Sequence, residues 1–390
     1  MRDYNETPKP KYIVSVTGTN GKTSVVNFYQ QIISCLGNKS CSIGTLGVNS
    51  NDDGFNKLWS AFLGLTTNDA PTTNKILFSA KKHDIDYAAL EASSHGIVQN
   101  RLLGIKFNAI ALTNISHDHL DYHGSMEAYK EAKMSLFCDK YMSDDCKIIT
   151  NLDEERLEKY NPVVLGKNFY YKIIDKSLEG TSVEFIYKDK KHNFKTNLIG
   201  EFQINNLIVS MLLAESCDFD MSSICKVVEK VNPIKGRMQK IKHKNNFIFI
   251  DYAHTPDGLD VVLKELKSLK KDSAKIISVF GCGGDRDKSK RPLMGKIASK
   301  YSDVVILTND NPRSENPKSI IADIRVGCEN DVVEIIEIED RENAIATALS
   351  LLQENDVLLI AGKGHEAYQI INNKKIFLSD ENIVMKNIMW

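Results

Sequence analysis

Apolar and polar positions along the chain fall into two rhythms. Short apolar runs at Tyr12–Val16, Asp86–Glu91 (DYAALE) and Asn108–Asn114 (NAIALTN) predict buried strands. Helical spacing opens at Lys22 and runs through Val25, Val26 and Ile32. It returns near Thr73–Lys82, behind the capping residues Pro71 and Thr72, and over Ser125–Phe137, where Met126, Tyr129, Met134 and Phe137 form the buried side. Ser42–Val48 reads as one further strand and Asn49–Trp59 as a polar loop. From Asn151 to Gly200 the pattern becomes strand-like, at Thr181–Tyr187 and Phe194–Ile199, before a helix runs from Gly200 to Glu215.

A turn-rich stretch, Val231–Arg237 (VNPIKGR), separates this half from a regular β/α alternation. Strands are expected at Phe247–Asp251, Lys275–Phe280, Val304–Leu307, Val332–Ile338 and Val357–Ile360. Helices are expected between them at Leu259–Leu269, Met294–Lys300, Ser319–Arg325 and Glu342–Leu352. Unusual residues gather where the strands end: Tyr252–His254, Gly281–Lys290, Asn309–Arg313 and Gly362–Glu366. In a doubly wound fold that rim is where ligands bind.

The strongest chemical signal is Lys11–Thr23, KYIVSVTGTNGKT. A strand, the small turn Gly18-Thr19-Asn20-Gly21, then Lys22-Thr23 opening a helix make a phosphate cradle. Backbone N–H groups face the anion, the lysine adds charge, and the hydroxyl can ligate Mg²⁺. Only Thr19 and Asn20 separate the two glycines, and Val16 stands where the usual loop has its first glycine. The fold class expected is therefore α/β: a P-loop-type central ATPase domain over residues 1–234, then a doubly wound Rossmann-like C-terminal domain over 235–390.

Glu91, at the end of its strand, stands where such folds place a carboxylate for the nucleotide-linked metal. Residues 117–123 hold three histidines and two aspartates. The dinuclear hydrolase pattern HxHxDH fails here, because Tyr122 intervenes between Asp121 and His123. A single role for His119 on a nucleotide-linked Mg²⁺ is the better reading. Lys133 has two readings that spacing leaves open. One is a solvated helical lysine; the other is an amine beside the metal that reacts with CO₂ to give a metal-binding carbamate.

Composition narrows the class. Apolar residues make up 42% and charged residues 26% of the 390, as in a globular protein with two or three domains. A net charge of −1 gives no basic field for nucleic acid, and nowhere do eighteen apolar residues run together, so neither nucleic acid nor membrane is expected as a partner. The eight cysteines are scattered without a CxxC pair, which fits reduced thiols of a cytoplasmic protein.

The stretches VTGTNGKTS, LTTNDAPT, EASSHGIVQNR, TNISHDHLDYHGSMEAYKEAK, GRMQ, DYAHTPDGL, FGCGGDRDKSKRPLMG, TNDNPR and AGKGHE cover nearly the whole chain, and together they resemble the Mur ligase family. SSHGIVQNR and DNPR resemble the branch that adds the third peptide residue, meso-diaminopimelate, to the UDP-N-acetylmuramoyl-dipeptide of cell-wall precursors. The resemblance implies that Gly18, Thr19, Asn20, Gly21, Lys22 and Thr23 hold ATP, with Asn206, Arg237 and His254 also at the nucleotide. It implies Mg²⁺ on Thr23, Glu91, His119 and Lys133, the last carbamoylated, and a catalytic set of Lys22, Glu91, His119 and Lys133. Thr66, Thr67, Ser93, Gln99 and Arg101 match the UDP-muramoyl-peptide positions. Arg286, Asp310, Asn311, Pro312, Arg313, Gly362 and Glu366 match the site for the incoming amino acid.

The implied chemistry is amide-bond formation through an acyl phosphate. Cations offset the repulsion between ATP and the carboxylate it phosphorylates, and domain closure keeps water from the intermediate. Arg313 offers a planar fork to the distal carboxylate of diaminopimelate, which lysine lacks. Gln203 departs from the family's usual asparagine in G-x-F-N-x-x-N. The family also carries a UDP-binding domain of about a hundred residues before its loop. With Gly18 so near Met1, the expectation is a chain without that domain and with weakened uridine-nucleotide affinity. A folylpolyglutamate synthetase-like ligase and a nucleotide-binding remnant without turnover are the alternatives, and a monomer is expected.

Overall fold

The computed structural model describes residues 7–60, 65–116, 118–328, 333–372 and 374–389. His117 of the histidine cluster and Val332, at the head of one expected strand, lie outside them. The chain divides into two compact units: Met1–Asp175 with Gly180–Asn232, and Lys176–Glu179 with Pro233–Trp390.

The first unit is built on seven strands: β1 (Tyr12–Thr17), β2 (Ser40–Gly44), β3 (Gly47–Ser50), β4 (Tyr87–Glu91), β5 (Phe107–Leu112), β6 (Met142–Thr150) and β7 (Val163–Val164). Their order is β3-β2-β4-β1-β5-β6-β7, parallel except for the β2–β3 hairpin. β1 lies between β4 and β5 and is buried from Ile13 to Thr17, so its run shows no apolar–polar alternation: with both faces covered it has no solvent side. The helix Lys22–Cys35 buries Val25, Val26, Phe28, Tyr29, Ile32 and Ile33, and packs against the largely buried helix Glu201–Glu215. Each such aliphatic side chain contributes about 1.5–3 kcal/mol on leaving water.

Three further strands, β8 (Phe169–Lys176), β9 (Thr181–Tyr187) and β10 (Lys190–Thr196), form a small sheet in the order β10-β9-β8. In β9, Thr181, Val183, Phe185 and Tyr187 are buried and alternate with less buried residues, as expected of a sheet with one covered face. Lys188 and Asp189, both with positive φ, make its two-residue turn into β10.

The second unit carries β11 (Gln239–His243), β12 (Asn246–Asp251), β13 (Ile276–Phe280), β14 (Val304–Leu307), β15 (Glu334–Glu337) and β16 (Val357–Ala361) in the order β11-β12-β16-β13-β14-β15. Only β11 runs antiparallel to its neighbour. The helices Pro256–Leu269, Lys290–Tyr301, Pro317–Arg325 and Arg341–Leu351 connect the parallel strands, and a small hairpin, β17 (Tyr368–Ile371) and β18 (Lys374–Phe377), precedes the last helix, Asp380–Ile388. The four-residue segment Lys176–Glu179 belongs here physically: Lys176 pairs with Glu265 at 3.1 Å, and Lys240 Nζ donates to the carbonyls of Leu178 and Glu179.

Three elements differ from the sequence expectation. Ser42–Val48 is a hairpin, turning at Thr45-Leu46 where one strand was expected. The polar stretch Asn49–Trp59 holds a helix, Asp53–Trp59, started by Asp52 accepting from Phe55 N–H at 2.8 Å and anchored by the fully buried Phe55. The strand expected at Phe194–Ile199 begins earlier, at Lys190, because its register is set by pairing with β9. Among the described residues, no helix is long and apolar enough to cross a membrane.

Candidate active site

The turn after β1 is shaped by glycine. Gly21 sits at φ +90° as the residue before the helix, and a Cβ there would lie 2.5 Å from Asn206 Oδ1. The residue before this helix is a glycine and supplies no side-chain cap, and a helix N-terminus favours an anion. The loop is held from outside. Asn114 O accepts from Thr19 N–H and Asn114 Oδ1 from Asn20 N–H, both at 2.9 Å, while Thr113 Oγ1 donates to Asn20 O at 2.6 Å.

Two amines converge on one carbonyl. Lys22 Nζ donates to Gly18 O at 2.7 Å, and Lys133 Nζ donates to the same oxygen at 2.8 Å. Lys133 is 1% exposed, with its amine 4.3 Å from the Tyr129 ring centre, so the solvated-lysine reading is excluded. Burial, with the Lys22 charge second, pulls its amine down to about 6 against a smaller upward pull from Asp118. Burial thus favours the neutral amine. Tyr129 OH lies 3.1 Å from Thr19 Oγ1, which accepts from Ser116 N–H at 2.9 Å.

Beside the loop, Glu91 at the end of β4 is 1% exposed. Its Oε2 accepts from Thr23 Oγ1 at 3.0 Å and Thr45 Oγ1 at 3.1 Å, and its Oε1 from Thr45 N–H at 2.8 Å. The donors gathered here, carboxylate and hydroxyl oxygens, are those a hard divalent cation takes. His119 adopts φ +53°, and its Nε2 lies 3.5 Å from Asp118 Oδ2. His123 Nε2 lies 2.9 Å from Ser94 Oγ, and His95 meets both His119 and His123 edge to face, with ring centres 5.0 and 5.5 Å apart.

The residues expected at the muramoyl-peptide form one connected patch in this unit. Thr66 Oγ1 lies 3.1 Å from Thr45 Oγ1. Thr67 Oγ1 donates to Glu91 O at 2.8 Å and accepts from Ser93 N–H at 2.9 Å. Arg101 donates to Thr67 O at 2.8 Å and to Gln99 Oε1.

In the second unit the four expected rim loops follow β12, β13, β14 and β16. Asp251 caps the first: its two oxygens accept from Met238 N–H at 2.6 Å and Ala253 N–H at 2.8 Å, and the Arg237 guanidinium stacks 4.2 Å over the Tyr252 ring. His254 follows on the same loop, its Nδ1 2.9 Å from Tyr252 O. The loops carrying Arg286 and Asp310–Arg313 are zipped together. Gly284 N–H donates to Asn311 O at 2.9 Å, Arg313 Nη1 to Gly284 O at 2.7 Å, and Ser314 Oγ to Asp285 Oδ1 at 2.7 Å. The Nε and Nη2 donors of Arg313 meet no acceptor among the described residues, so one edge of its fork stays open. Pro312 O accepts from Glu315 N–H at 3.1 Å. Asn311 Nδ2 donates to Glu366 Oε2 at 3.0 Å, and Gly362 passes Asp310 so closely that a Cβ would be 2.9 Å from its Oδ2.

Several contributors went unread in the sequence. Thr45 lay inside a presumed strand. Thr113 and Asn114 were visible in TNISHDH without a role. Lys363, fully buried, holds Glu366 Oε2 at 3.2 Å and Asn311 Oδ1 at 3.3 Å, yet in AGKGHE it reads like any loop lysine.

A parallel α/β unit with a glycine turn before its first helix, followed by a second doubly wound unit, makes a two-part fold of the nucleotide-binding kind. Residues 16–214 match the Mur ligase middle domain and residues 236–364 the Mur ligase, glutamate ligase domain. The chain belongs to the Mur ligase family. Among its relatives, the UDP-N-acetylmuramoyl-L-alanyl-D-glutamate–2,6-diaminopimelate ligase of Rickettsia bellii is 43% identical over 98% of this chain and 81% of its own length. The protein of that name from Prochlorococcus marinus is 38% identical over 98% and 78%. A solved structure, also of a UDP-N-acetylmuramoyl-L-alanyl-D-glutamate–2,6-diaminopimelate ligase, matches with a TM-score of 0.70 at 35% identity, covering 98% of this chain and 79% of that one. A MurF ligase from Thermotoga maritima in complex with ADP shares the fold at 16% identity, with a TM-score of 0.70 over 99% and 82%.

Proposed function

We propose that this chain is an ATP-dependent ligase of peptidoglycan precursor synthesis. It joins an amine of meso-2,6-diaminopimelate to the glutamyl carboxylate of UDP-N-acetylmuramoyl-L-alanyl-D-glutamate. The observation that carries the reading is the convergence of Lys22 and Lys133 on Gly18 O, beside uncapped helix N–H groups. Lys22 there offers charge to a polyphosphate, and the buried Lys133 brings an amine to the same turn, where a carbamate would face the nucleotide's metal. Relatives 38–43% identical over nearly the whole chain supply the substrate names.

In this reading Gly18–Thr23 cradle the ATP phosphates, with Asn206, Arg237 and His254 on the nucleoside. Thr23 and Glu91 would hold Mg²⁺, with His119 and the carbamate of Lys133, and the oxygen donors around Glu91 fit such an ion. When bound, Mg²⁺ neutralises charge on the transferring phosphoryl group. The low-pKa amine of Lys133 adds to CO₂: its nitrogen lone pair forms the N–C bond, one N–H proton leaves to solvent, and a carbamate oxyanion results. Thr66, Thr67, Ser93, Gln99 and Arg101 orient the muramoyl-peptide. Its carboxylate takes the γ-phosphoryl group, and the acyl phosphate is attacked by the amine held by the second unit's rim, with phosphate leaving. There the open edge of Arg313 receives the distal carboxylate of the amino acid, alongside Arg286, Asp310, Asn311, Pro312, Gly362 and Glu366. We read the enzyme as a cytoplasmic monomer; its eight free cysteines suit a reducing compartment.

The test is phosphate release by the purified chain with ATP, Mg²⁺ and the UDP-muramoyl-dipeptide. Release that requires meso-diaminopimelate and is not supported by L-lysine is the expected result. Release with L-lysine alone would overturn the amino-acid assignment, and ATP binding without release would overturn the ligase reading.

A further inference from the structure

Arg341 is a large, fully buried cation that none of the roles above uses. It opens the helix Arg341–Leu351, and its partner Asp380, also fully buried, opens the helix Asp380–Ile388. The pairing is bidentate: Nε to Oδ1 and Nη2 to Oδ2, each at 2.8 Å. The remaining donors reach backbone. Nη1 donates to Asn309 O at 3.2 Å, and Nη2 donates also to Ala361 O at 3.0 Å.

Those two carbonyls sit one residue before Asp310 and one residue before Gly362. They are the roots of the two loops that carry Asp310–Arg313 and Gly362–Glu366. The loops then meet through Asn311 and Glu366, so a displaced root on either side shifts both. Burial disfavours the Arg341 charge, but the carboxylates of Asp380, Asp310 and Glu366 outweigh it and raise its pKa. The same guanidinium thus holds the loop backbones and offsets the acidic side chains they present.

We infer that Arg341, fixed by Asp380, is the positioning residue for the amino-acid site, setting affinity for a 2,6-diamino dicarboxylic acid without touching it. This rests on the proposed function of the rim. A lysine cannot reproduce the fork: it keeps the charge opposite Asp380 but cannot serve both carbonyls as well.

The experiment measures steady-state ADP release by the full chain for Arg341→Lys and for the near-isosteric Asp380→Asn, varying diaminopimelate and ATP separately. Lys386→Ala, which removes an exposed ion pair with Glu342 between the same two helices, serves as control. The expected result is a KM for diaminopimelate raised about ten- to a hundredfold in at least one folded clamp variant, with KM for ATP and kcat within about twofold and the control unchanged. A lowered thermal midpoint with an unchanged KM for the amino acid would overturn the inference, as would kcat and both KM values moving together. If Arg341→Lys fails to fold, Asp380→Asn decides alone. Failure of the substrate reading shows separately, as wild-type turnover that prefers another amino acid; the clamp is then scored by the same ratio with that amino acid.

Discussion

Thr23 Oγ1 donates to Glu91 Oε2 across 3.0 Å, tying the first turn of the phosphate-loop helix to the end of β4. The carboxylate is hemmed in from the other side as well, since a Cβ on Gly44 would stand 2.1 Å from Glu91 Oε1. Gly44→Ala therefore displaces Glu91 without changing its chemistry. It should lower kcat in the same direction as Glu91→Gln, about a hundredfold for the latter. Both are measured as ADP release over a Mg²⁺ titration. Normal kcat in Glu91→Gln would remove this carboxylate from the metal site.

Lys133→Arg should abolish turnover, with a loss of about a thousandfold or more, while ATP binding survives. A guanidinium keeps its proton and cannot add to CO₂. The wild-type chain in ¹³C-bicarbonate should show a carbamate carbon resonance that the variant lacks. Full activity in Lys133→Arg would sink the carbamate role.

Arg313→Ala should act on the amino acid and leave ATP alone. A charge-assisted hydrogen bond is worth about 1.5–3 kcal/mol, so KM for diaminopimelate should rise about ten- to a hundredfold. The check is a competition between diaminopimelate and L-lysine; an unchanged preference would take Arg313 out of the recognition site.

Asp52 gives a stability prediction with a pH signature. The Lys39 ammonium first, then the Phe55 N–H it caps and His83, hold its carboxyl at about 2. An unfolded aspartate titrates near 3.9. Because the folded value is the lower one, the stabilisation is present above about pH 4 and is lost as pH falls through about 2. Asp52→Ala should cost about 1 kcal/mol at pH 7, read from urea midpoints, and the difference should shrink across that acid window. A difference that stays constant to pH 2 would mean the carboxylate charge is not what stabilises this helix.

The sequence announced those features whose residue types have few other uses. Gly18 and Gly21 around a short turn, between a β-branched strand and Lys-Thr, leave little besides a phosphate cradle. The strands flanking β1 were legible because a strand covered on both faces must be apolar throughout. Asp53–Trp59 was hidden because a seven-residue helix with one buried side chain has no periodicity to read. Lys133 was ambiguous because helical spacing places it on a face without saying what lies opposite. Arg341 was silent because its partner Asp380 lies 39 residues on, and Lys363 because its near partner Glu366 reads as an ordinary loop acid while Asn311, which it also holds, lies 52 residues back.

The strap Lys176–Glu179 has an evolutionary reading. It is encoded within the first unit yet folded into the second, so the chain passes from one unit to the other three times. A single recombination event near residue 232 would transplant the second unit without the carbonyls of Leu178 and Glu179 that accept from Lys240. Exchange of one unit thus separates these contacts unless the strap travels with it. A chimera that swaps one for a relative's must carry these four residues along with the partner they fold against, and the pair is inherited more safely together than apart.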